Sequence, residues 1–159
     1  MIFREFCVND LPDVLSLFNK LIAHLIEETG DPYMQIDPGA DLESGLETYL
    51  RETLEGRDKT TIIAEDDGKI AGFISGEIRD SFFPPSVVKK TGYIFGAYTL
   101  PEYRRQGVMA KLEKILTDFF RSRKINYIEL SFLSGNSLAR KSWEAMGYGV
   151  FREQMRKNI

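Results

Sequence analysis

The feature that most constrains the fold is a predicted strand that runs into a helix and is then followed by a second strand. Residues 91–100 are typical of a long strand, and Pro101 ends it. Apolar residues then recur at helical spacing: Met109, Leu112, Ile115, Leu116, Phe119 and Phe120. Residues 127–133 are typical of a buried strand. This order predicts a right-handed parallel crossover with helices against the faces of a sheet.

The remaining elements predict a single domain that spans residues 1–159. Further strands are predicted at residues 2–8, 60–65 and 69–78, with closing strand material at 148–157. Further helices are predicted from a cap at Asn9 or Asp10 to Gly30, and at residues 41–54 and 137–146. The order β-α-α-β-β-β-α-β-α-β indicates the α/β (α+β) class, with a mixed sheet flanked by about four helices.

Two glycines give local information about the strands. Gly68 follows two aspartates between the second and third strands, and the Asp-Gly pair is a strong hairpin signal. Gly96 lies inside the strand at residues 91–100. A glycine there indicates a bulge or the close approach of another group, although a merely tolerated glycine explains it equally well.

Composition excludes several classes of protein. With 43% hydrophobic and 28% charged residues the chain is globular, and no run of about 18 apolar residues predicts a membrane span. The net charge of −3 argues against a nucleic-acid partner. It is compatible with a cationic substrate, although a solvated surface of mixed charge explains it too. The single Cys7 is predicted to be a buried structural thiol in a reducing, cytoplasmic compartment.

The turn after the strand at residues 91–100 predicts an anion site. The helix that begins near Gln106 lacks a nearby cap residue, and Arg104 and Arg105 lie at its positive end. A phosphate would accept hydrogen bonds from the free N–H groups and pair with both arginines, while Gly107 lets the backbone approach it. The alternative is a frayed helix end with two solvated arginines.

Two segments resemble the GCN5-related N-acetyltransferases, the GNAT family. The run AYTLPEYRRQGVMAKLEKIL is similar to the family's acetyl-coenzyme A motif, with Arg104 and Gly107 at two fixed positions and Met109 where glycine or alanine is usual. The run NSLARKSWEAMGY is similar to a later motif of the family, with Asn136, Ala139 and Gly147 in register. Two motifs at the right separation are far more specific than either alone.

The resemblance implies a fold, a cosubstrate and a binding site. In this family the strands that correspond to residues 91–100 and 127–133 diverge, and the pantetheine arm of acetyl-coenzyme A lies between them. No metal is implied. The implied coenzyme-binding residues are Tyr98, Thr99, Leu100, Arg104, Arg105, Gln106, Gly107, Val108, Met109, Ala110, Asn136, Ala139, Arg140 and Trp143. For Arg140, a solvated helix residue is an equal alternative.

The resemblance also implies acid–base chemistry. An amine must lose a proton before it attacks, so a general base is expected. Glu77, near a strand end, is the first candidate, although a merely exposed carboxylate at a strand end explains it too, and Glu129 and His24 are weaker candidates. Trp143 stands where the family commonly has a tyrosine that protonates the leaving thiolate, and an indole N–H cannot act as a useful acid. Tyr148 is a weak replacement, so the general acid stays unassigned.

The leading hypothesis is an acetyl-CoA-dependent N-acetyltransferase that acts on the primary amine of a small cationic molecule. Alternatives are a non-catalytic acyl-CoA sensor or interaction module, which Trp143 suggests, and an enzyme that acetylates protein or peptide amines. The substrate is expected at the first two helices and at the loops at residues 31–40 and 82–85. Asp31, Asp37 and Asp41 attract a cation there or are simply solvated. A homodimer is compatible with the sequence.

Overall fold

The computed structural model describes residues 1–159 as a five-stranded sheet between two layers of helices. The strands lie in the order β1-β2-β3-β4-β5, and all neighbours are antiparallel except the parallel pair β4–β5. The strands are β1 (Ile2–Glu5), β2 (Lys59–Asp66), β3 (Lys69–Asp80), β4 (Lys90–Thr99) and β5 (Ile128–Glu129). The helices are α1 (Leu11–Thr29), α2 (Leu42–Thr53), α3 (Val108–Ser122) and α4 (Ser137–Ala145). The predicted mixed sheet with four helices is confirmed.

Local signals account for several element ends. Between β2 and β3, Asp67 and Gly68 both have positive φ angles, of 48° and 80°, as the predicted two-residue hairpin turn requires. Gly30 ends α1 in the left-handed conformation, with φ 54°. The side chain of Asp41 caps α2 by accepting a hydrogen bond from the N–H of Ser44 at 3.0 Å.

Each face of the sheet has its own apolar core. On one face, α1 and α2 pack against alternate strand residues such as Ile63 and Phe73, with Phe18 and Leu50 among the helix residues. On the other face, α3 packs against the intervening residues, including Ile62 and Ile74, through Leu112, Leu116 and Phe120. This alternation assigns every strand side chain to the α1–α2 face or to the α3 face.

Gly96 has both of the special roles that its position allows. The pairing of β3 with β4 shifts register between Ser75 and Gly76, which lie opposite Gly96 and Ile94 and leave Phe95 as the extra residue of a bulge. A Cβ atom on Gly96 would lie 2.6 Å from the ring of Phe18. The glycine therefore lets α1 approach the sheet next to the bulge, and the reading as a merely tolerated glycine is wrong.

Two predicted strands differ from the structure. The strand predicted at residues 127–133 is reduced to Ile128–Glu129, because β5 diverges from β4 and loses its ladder partner. The closing strand predicted at residues 148–157 is not formed, and no backbone N–H of residues 149–159 donates to the protein. A β5 of two residues offers too few main-chain groups to pair with it.

Two further expectations concern Cys7 and the membrane. The prediction of a buried thiol is wrong, since Cys7 is exposed. The reason is that β1 ends at Glu5 and the next residue, Phe6, turns into the core instead. None of the helices combines the length and the apolar composition that crossing a membrane requires.

Candidate active site

A gap opens in the sheet between β4 and β5. The two strands are paired only at Gly92 with Ile128 and at Tyr93 with Glu129. Beyond Tyr93, the β5 side of β4 has no strand partner, as the family resemblance implies. Main-chain hydrogen-bonding groups on that side are therefore available to a ligand.

Alternate residues of β4 present their main chain to this gap. The N–H of Leu100 donates to the carbonyl of Ala71 at 2.9 Å, so Leu100 faces β3. Because antiparallel pairing alternates along a strand, Tyr98 also faces β3, and the main-chain groups of Ala97 and Thr99 face the gap. The prediction that the main chains of Tyr98 and Leu100 hold a ligand is corrected in this respect, and Ala97 is added to Thr99.

Unused backbone donors accumulate in the turn between β4 and α3. The N–H groups of Arg104 and Lys111 donate to the carbonyls of Pro101 and Gly107 at 3.2 and 3.1 Å. Between them, no N–H group of residues 105–110 donates to another group of the protein. The first turn of α3 contains no acidic residue, so the positive end of its dipole is not compensated. An anion is the natural partner for such a turn.

The turn adopts an unusual backbone conformation. Gly107 and Arg105 have φ angles of 76° and 59°, in the left-handed region. That conformation costs a residue with a Cβ about 1–2 kcal/mol, so Gly107 is suited to it and Arg105 is strained. A Cβ at Gly107 would meet nothing within 4 Å, so the glycine is needed for its backbone angles rather than for space. Turns of this kind form concave anion sites.

The side chains of the turn divide into two groups. Arg104 donates through Nε to the carbonyl of Thr99 at 3.0 Å, which leaves its two terminal nitrogens free, while Arg105 is exposed and unpaired. Val108 is buried in the α3-face core, and Met109 packs against it. These two residues can therefore offer only their N–H groups to an anion.

The α4 residues of the second motif have structural roles. The amide oxygen of Asn136 caps α4 by accepting a hydrogen bond from the N–H of Ala139 at 2.9 Å, and Asn136 is 5% exposed. Arg140 is exposed and donates to Glu144 at 3.2 Å, one helical turn away. A role for these residues in coenzyme binding stays a prediction.

Trp143 and Tyr148 pack against each other beside α3. Their rings meet edge to face with centroids 5.4 Å apart. The Tyr148 hydroxyl donates to Glu113 Oε1 at 2.8 Å. Burial, followed by this bond to a carboxylate, raises the pKa of Tyr148 far above that of free tyrosine. The raised pKa makes Tyr148 a poorer proton donor than free tyrosine, and an indole N–H is not a useful acid, so the general acid stays unassigned.

Glu77 lies on the α1–α2 face, beside the point where the gap opens. Its neighbour Gly76 faces Leu116 and Phe120 of α3, so Glu77 points the other way. In the sheet, Glu77 is paired with Tyr93, the last residue of β4 before the gap. A carboxylate at this place can serve chemistry at the inner end of the gap.

Two cations surround Glu77. Its side chain is 12% exposed and forms ion pairs with Arg79 and, at 3.7 Å, with Lys59. The other two base candidates lack such partners. The side chains of Glu129 in β5 and of the half-buried His24 in α1 form no hydrogen bond or ion pair. Glu77 is thus the candidate that the structure holds in a fixed charged environment.

The acidic loop residues have local backbone partners. Each accepts a hydrogen bond from a nearby N–H: Asp31 from Tyr33 at 2.9 Å, Asp37 from Gly39 at 2.8 Å and Asp41 from Ser44 at 3.0 Å. The C-terminal residues contact both expected substrate loops, since Arg156 forms an ion pair with Asp31 and Phe151 lies 5.4 Å from Phe82, ring to ring. Arg156 also lowers the pKa of Asp31.

Sequence reasoning missed an aromatic pair at the bulge. Phe95 is 39% exposed, and its ring stacks on that of Tyr49 in α2 with centroids 4.0 Å apart. The Tyr49 hydroxyl is buried without a hydrogen-bond partner. In the sequence, Tyr49 reads as one more core residue of an amphipathic helix, and a missing partner leaves no sequence signal.

A family model now places this geometry among known proteins. The model described as the acetyltransferase (GNAT) family matches residues 20–148. The chain belongs to the GNAT family. That match covers both motifs and most of the sheet, and it confirms the family, the N-acetyltransferase class and the acetyl-CoA cosubstrate predicted from the sequence. A search among curated protein sequences finds no match.

Solved structures have the same fold as this GNAT. A mutant protein of Bacillus halodurans superposes with a TM-score of 0.83 at 20% identity, covering 100% of this chain and 99% of its own. An aminoglycoside 6′-N-acetyltransferase of Acinetobacter haemolyticus gives 0.77 at 17% identity, with 100% and 98% covered. A predicted acetyltransferase of Clostridium acetobutylicum, crystallised with acetyl-CoA, gives 0.76 at 24% identity, with 99% and 95% covered. At these identities the likeness establishes the fold.

The GNAT fold accounts for the placement of the gap and the turn. Both lie at the carboxyl end of β4, where open α/β sheets bind their ligands. No group of three or more His, Cys, Asp or Glu side chains is arranged to hold a metal ion. The unused N–H groups, the two arginines and the free side of β4 fit a long ligand with a pyrophosphate at one end.

Proposed function

We propose that this GNAT transfers the acetyl group of acetyl-CoA to the primary amine of a small cationic molecule. The observation that carries the proposal is the continuity of the gap with the turn: β4 offers free main-chain groups along one side and ends at a set of unused N–H donors. The solved aminoglycoside acetyltransferases with this fold, and the net charge of −3, support a small cationic acceptor.

The turn at residues 104–110, called the coenzyme turn below, is assigned to the pyrophosphate. Its free N–H groups and the terminal nitrogens of Arg104 are suited to an anion, and Arg105 adds a second charge. The main chain of Ala97 and the N–H group of Thr99 would pair with the pantetheine arm in the gap, since the carbonyl of Thr99 is already bonded to Arg104. In this proposal an N–H group there also polarises the thioester carbonyl, which is worth about 3 kcal/mol per donor.

The acceptor is assigned to the α1–α2 side of the gap. There, five side chains form what we call the acceptor face: Tyr49, Lys59, Glu77, Arg79 and Phe95. Acetyl-CoA supplies the activated acetyl thioester. Transfer forms an amide C–N bond and breaks the C–S bond, and Glu77 accepts the proton that the amine nitrogen loses. The thiolate, with a pKa near 8.5, leaves without a dedicated acid and takes its proton from water.

Amine-dependent release of free thiol tests this proposal. Purified protein is incubated with acetyl-CoA and with polyamines, aminoglycosides, amino acids or peptides in separate reactions, and acetylated product is identified by mass. We expect release with at least one small cationic amine. Release with peptides alone would replace the small-molecule acceptor by a protein amine. Absence of release in every reaction would remove the proposed activity.

A second candidate function is a non-catalytic acyl-CoA sensor. The packing of Trp143 on Tyr148 favours it, because neither side chain can supply the acid that many family members use. It predicts tight acetyl-CoA binding by calorimetry without turnover. Activity created by Trp143→Tyr would support the sensor, whereas activity of the unaltered chain would exclude it. The single-domain boundary, the cytoplasmic location and the homodimer stay predictions.

A further inference from the structure

The Tyr49 hydroxyl is a buried polar group with no structural purpose. The side chain is 8% exposed, and its oxygen has no hydrogen-bond partner. The other such atom, Thr99 Oγ1, lies in the strand that borders the gap. Burying a hydroxyl without a partner opposes folding, and a phenylalanine would fill the same space without that penalty. Packing of α2 against the sheet therefore gives no reason for a tyrosine at this position.

The position of Tyr49 points to the acetyl-transfer site. Its ring stacks at 4.0 Å, with an interplanar angle of 24°, on that of Phe95, the extra residue of the β4 bulge. The bulge comes two residues after Tyr93, where pairing with β5 ends and the gap opens. Bulges re-aim side chains and are common next to active sites. Tyr49 therefore packs against Phe95, the β4 residue at the inner end of the gap.

Phe95 covers Tyr49 from the solvent side. Phe95 is the exposed member of the stack, at 39%, and its ring lies 6.0 Å from that of Phe18 as well. Movement of one exposed side chain is a small rearrangement on the scale of ligand binding. Such a movement would uncover the face of the Tyr49 ring on which Phe95 stacks.

The charges near Tyr49 keep its proton in place. Burial, followed by the charge of Glu77, raises the pKa of the hydroxyl far above that of free tyrosine, although Arg79 opposes the shift. Lys59 lies 5.0 Å from the ring centroid and is itself paired with carboxylates. The hydroxyl therefore stays neutral among charges that are already paired, and it can donate a hydrogen bond to an oxygen atom of a ligand.

We propose that Tyr49 is a specificity-determining residue of the acceptor site, whose hydroxyl donates a hydrogen bond to a hydroxyl or ether oxygen of the amine-bearing substrate once Phe95 has moved aside. The inference rests on the proposed acetyl transfer and narrows its acceptor to an oxygen-bearing amine. A site built to bond a substrate oxygen rejects an analogue that lacks it, because its own polar group is then left unpaired.

Tyr49→Phe tests the role of the hydroxyl while it keeps the aromatic stack. With an oxygen-bearing amine that the unaltered enzyme acetylates, we expect the variant to raise KM about 3- to 10-fold, the effect of one lost hydrogen bond. The variant should discriminate less between this amine and a matched amine without that oxygen, and acetyl-CoA binding by calorimetry should not change. The melting temperature should rise, in contrast to Tyr148→Phe, which removes a hydroxyl that is bonded to Glu113.

Two outcomes would overturn the inference in distinguishable ways. An active enzyme whose Tyr49→Phe variant has unchanged KM for the oxygen-bearing amine would leave acetyl transfer intact and reduce Tyr49 to a packing residue. An unaltered chain that binds acetyl-CoA but acetylates no amine would remove this inference together with the proposed function. If Tyr49→Phe does not fold, Phe95→Ala decides: uncovering the hydroxyl should lower KM for the oxygen-bearing amine, and an unchanged or higher KM contradicts the inference.

Discussion

The coenzyme turn follows β4 and the acceptor face includes one residue of it, but the two regions are built in different ways. The coenzyme turn offers an anion backbone N–H groups that are contiguous in the chain, and its side chains are exposed, half-buried or packed into the core. The acceptor face consists of side chains from α2, β2, β3 and β4, held by ring stacking and ion pairs. The first is a local structure, and the second exists only in the folded sheet.

This difference determines which substitutions each region can tolerate. A site made of backbone groups tolerates most side chains, and Met109 at a position that resembles a glycine or alanine of the family is compatible with such a site. It depends instead on the φ angle of Gly107. A side-chain site depends on each of its groups and can be changed one residue at a time. We therefore expect substitutions in the two regions to alter different kinetic constants.

The largest effect is expected from Glu77→Gln on the acceptor face. Removing the proposed base should lower kcat by about 100-fold, the low end for general base catalysis, while acetyl-CoA binding is unchanged. Steady-state kinetics with both substrates varied, together with calorimetric coenzyme binding, measure the two quantities.

Glu52→Gln is the matched control for Glu77→Gln. Glu52 also pairs with Lys59, but its side chain is 49% exposed. The control should keep kcat within about twofold, since an exposed ion pair contributes at most about 1 kcal/mol. A Glu77→Gln variant with the kcat of the unaltered enzyme would end the assignment of Glu77 as base.

The next largest effect is expected from Gly107→Glu in the coenzyme turn. The left-handed φ of 76° strains any residue with a Cβ, and a carboxylate would repel the pyrophosphate. We expect acetyl-CoA affinity to fall by about 30-fold, or about 2 kcal/mol, with unchanged KM for the amine. Calorimetry measures the first and kinetics at saturating coenzyme the second.

Gly68→Glu separates strain from binding. Gly68 has φ 80° and, like Gly107, nothing within 4 Å of an added Cβ, but it lies in the β2–β3 hairpin. It should therefore lower the melting temperature by a similar amount without altering acetyl-CoA affinity. Equal losses of affinity in both variants would place the pyrophosphate away from Gly107.

A smaller effect on the coenzyme side is expected from Arg104→Ala. Because Nε is held by the carbonyl of Thr99, the guanidinium is fixed with its terminal nitrogens free, and a charge-assisted hydrogen bond to phosphate is worth about 1.5–3 kcal/mol. We expect acetyl-CoA affinity to fall about tenfold. Arg121→Ala, which removes an exposed arginine paired with Asp118, should have no effect on it. Equal affinity in both variants would contradict the assignment.

The contrast also explains what could be predicted from the sequence. The free N–H groups at the start of α3 could be predicted because Arg104, Arg105 and Gly107 lie close together in the chain and their chemistry follows from a helix end. That this turn binds the coenzyme stays a prediction. The hairpin and the helices were predictable for the same local reason. The main-chain orientation of Ala97 was not, because the bulge at Phe95 resets which residues face β3. The unpaired hydroxyl of Tyr49 could not be predicted either, because whether it finds a hydrogen-bond partner depends on residues that are distant in the sequence.

The smallest effect is expected from Asp10→Asn. Asp10 lies in neither region, so this variant tests the stability of the fold alone. Hydrogen bonds from Arg4, the largest cause, lower the pKa of Asp10 from 3.8 to about 2. Because the folded-state pKa is the lower one, this stabilisation is complete above pH 3.8 and is lost as the pH falls toward 2.

At neutral pH, Asp10→Asn should lower the free energy of unfolding by about 1 kcal/mol, since Arg4 is partly exposed and water screens the pair. The difference in stability between the unaltered protein and the variant should shrink toward pH 2, in denaturant titrations at each pH. Both kinetic constants at neutral pH should stay unchanged. A change in either constant would mean that the Arg4–Asp10 pair near β1 affects the site at the gap. It would contradict the expectation that the two regions act independently of the rest of the fold.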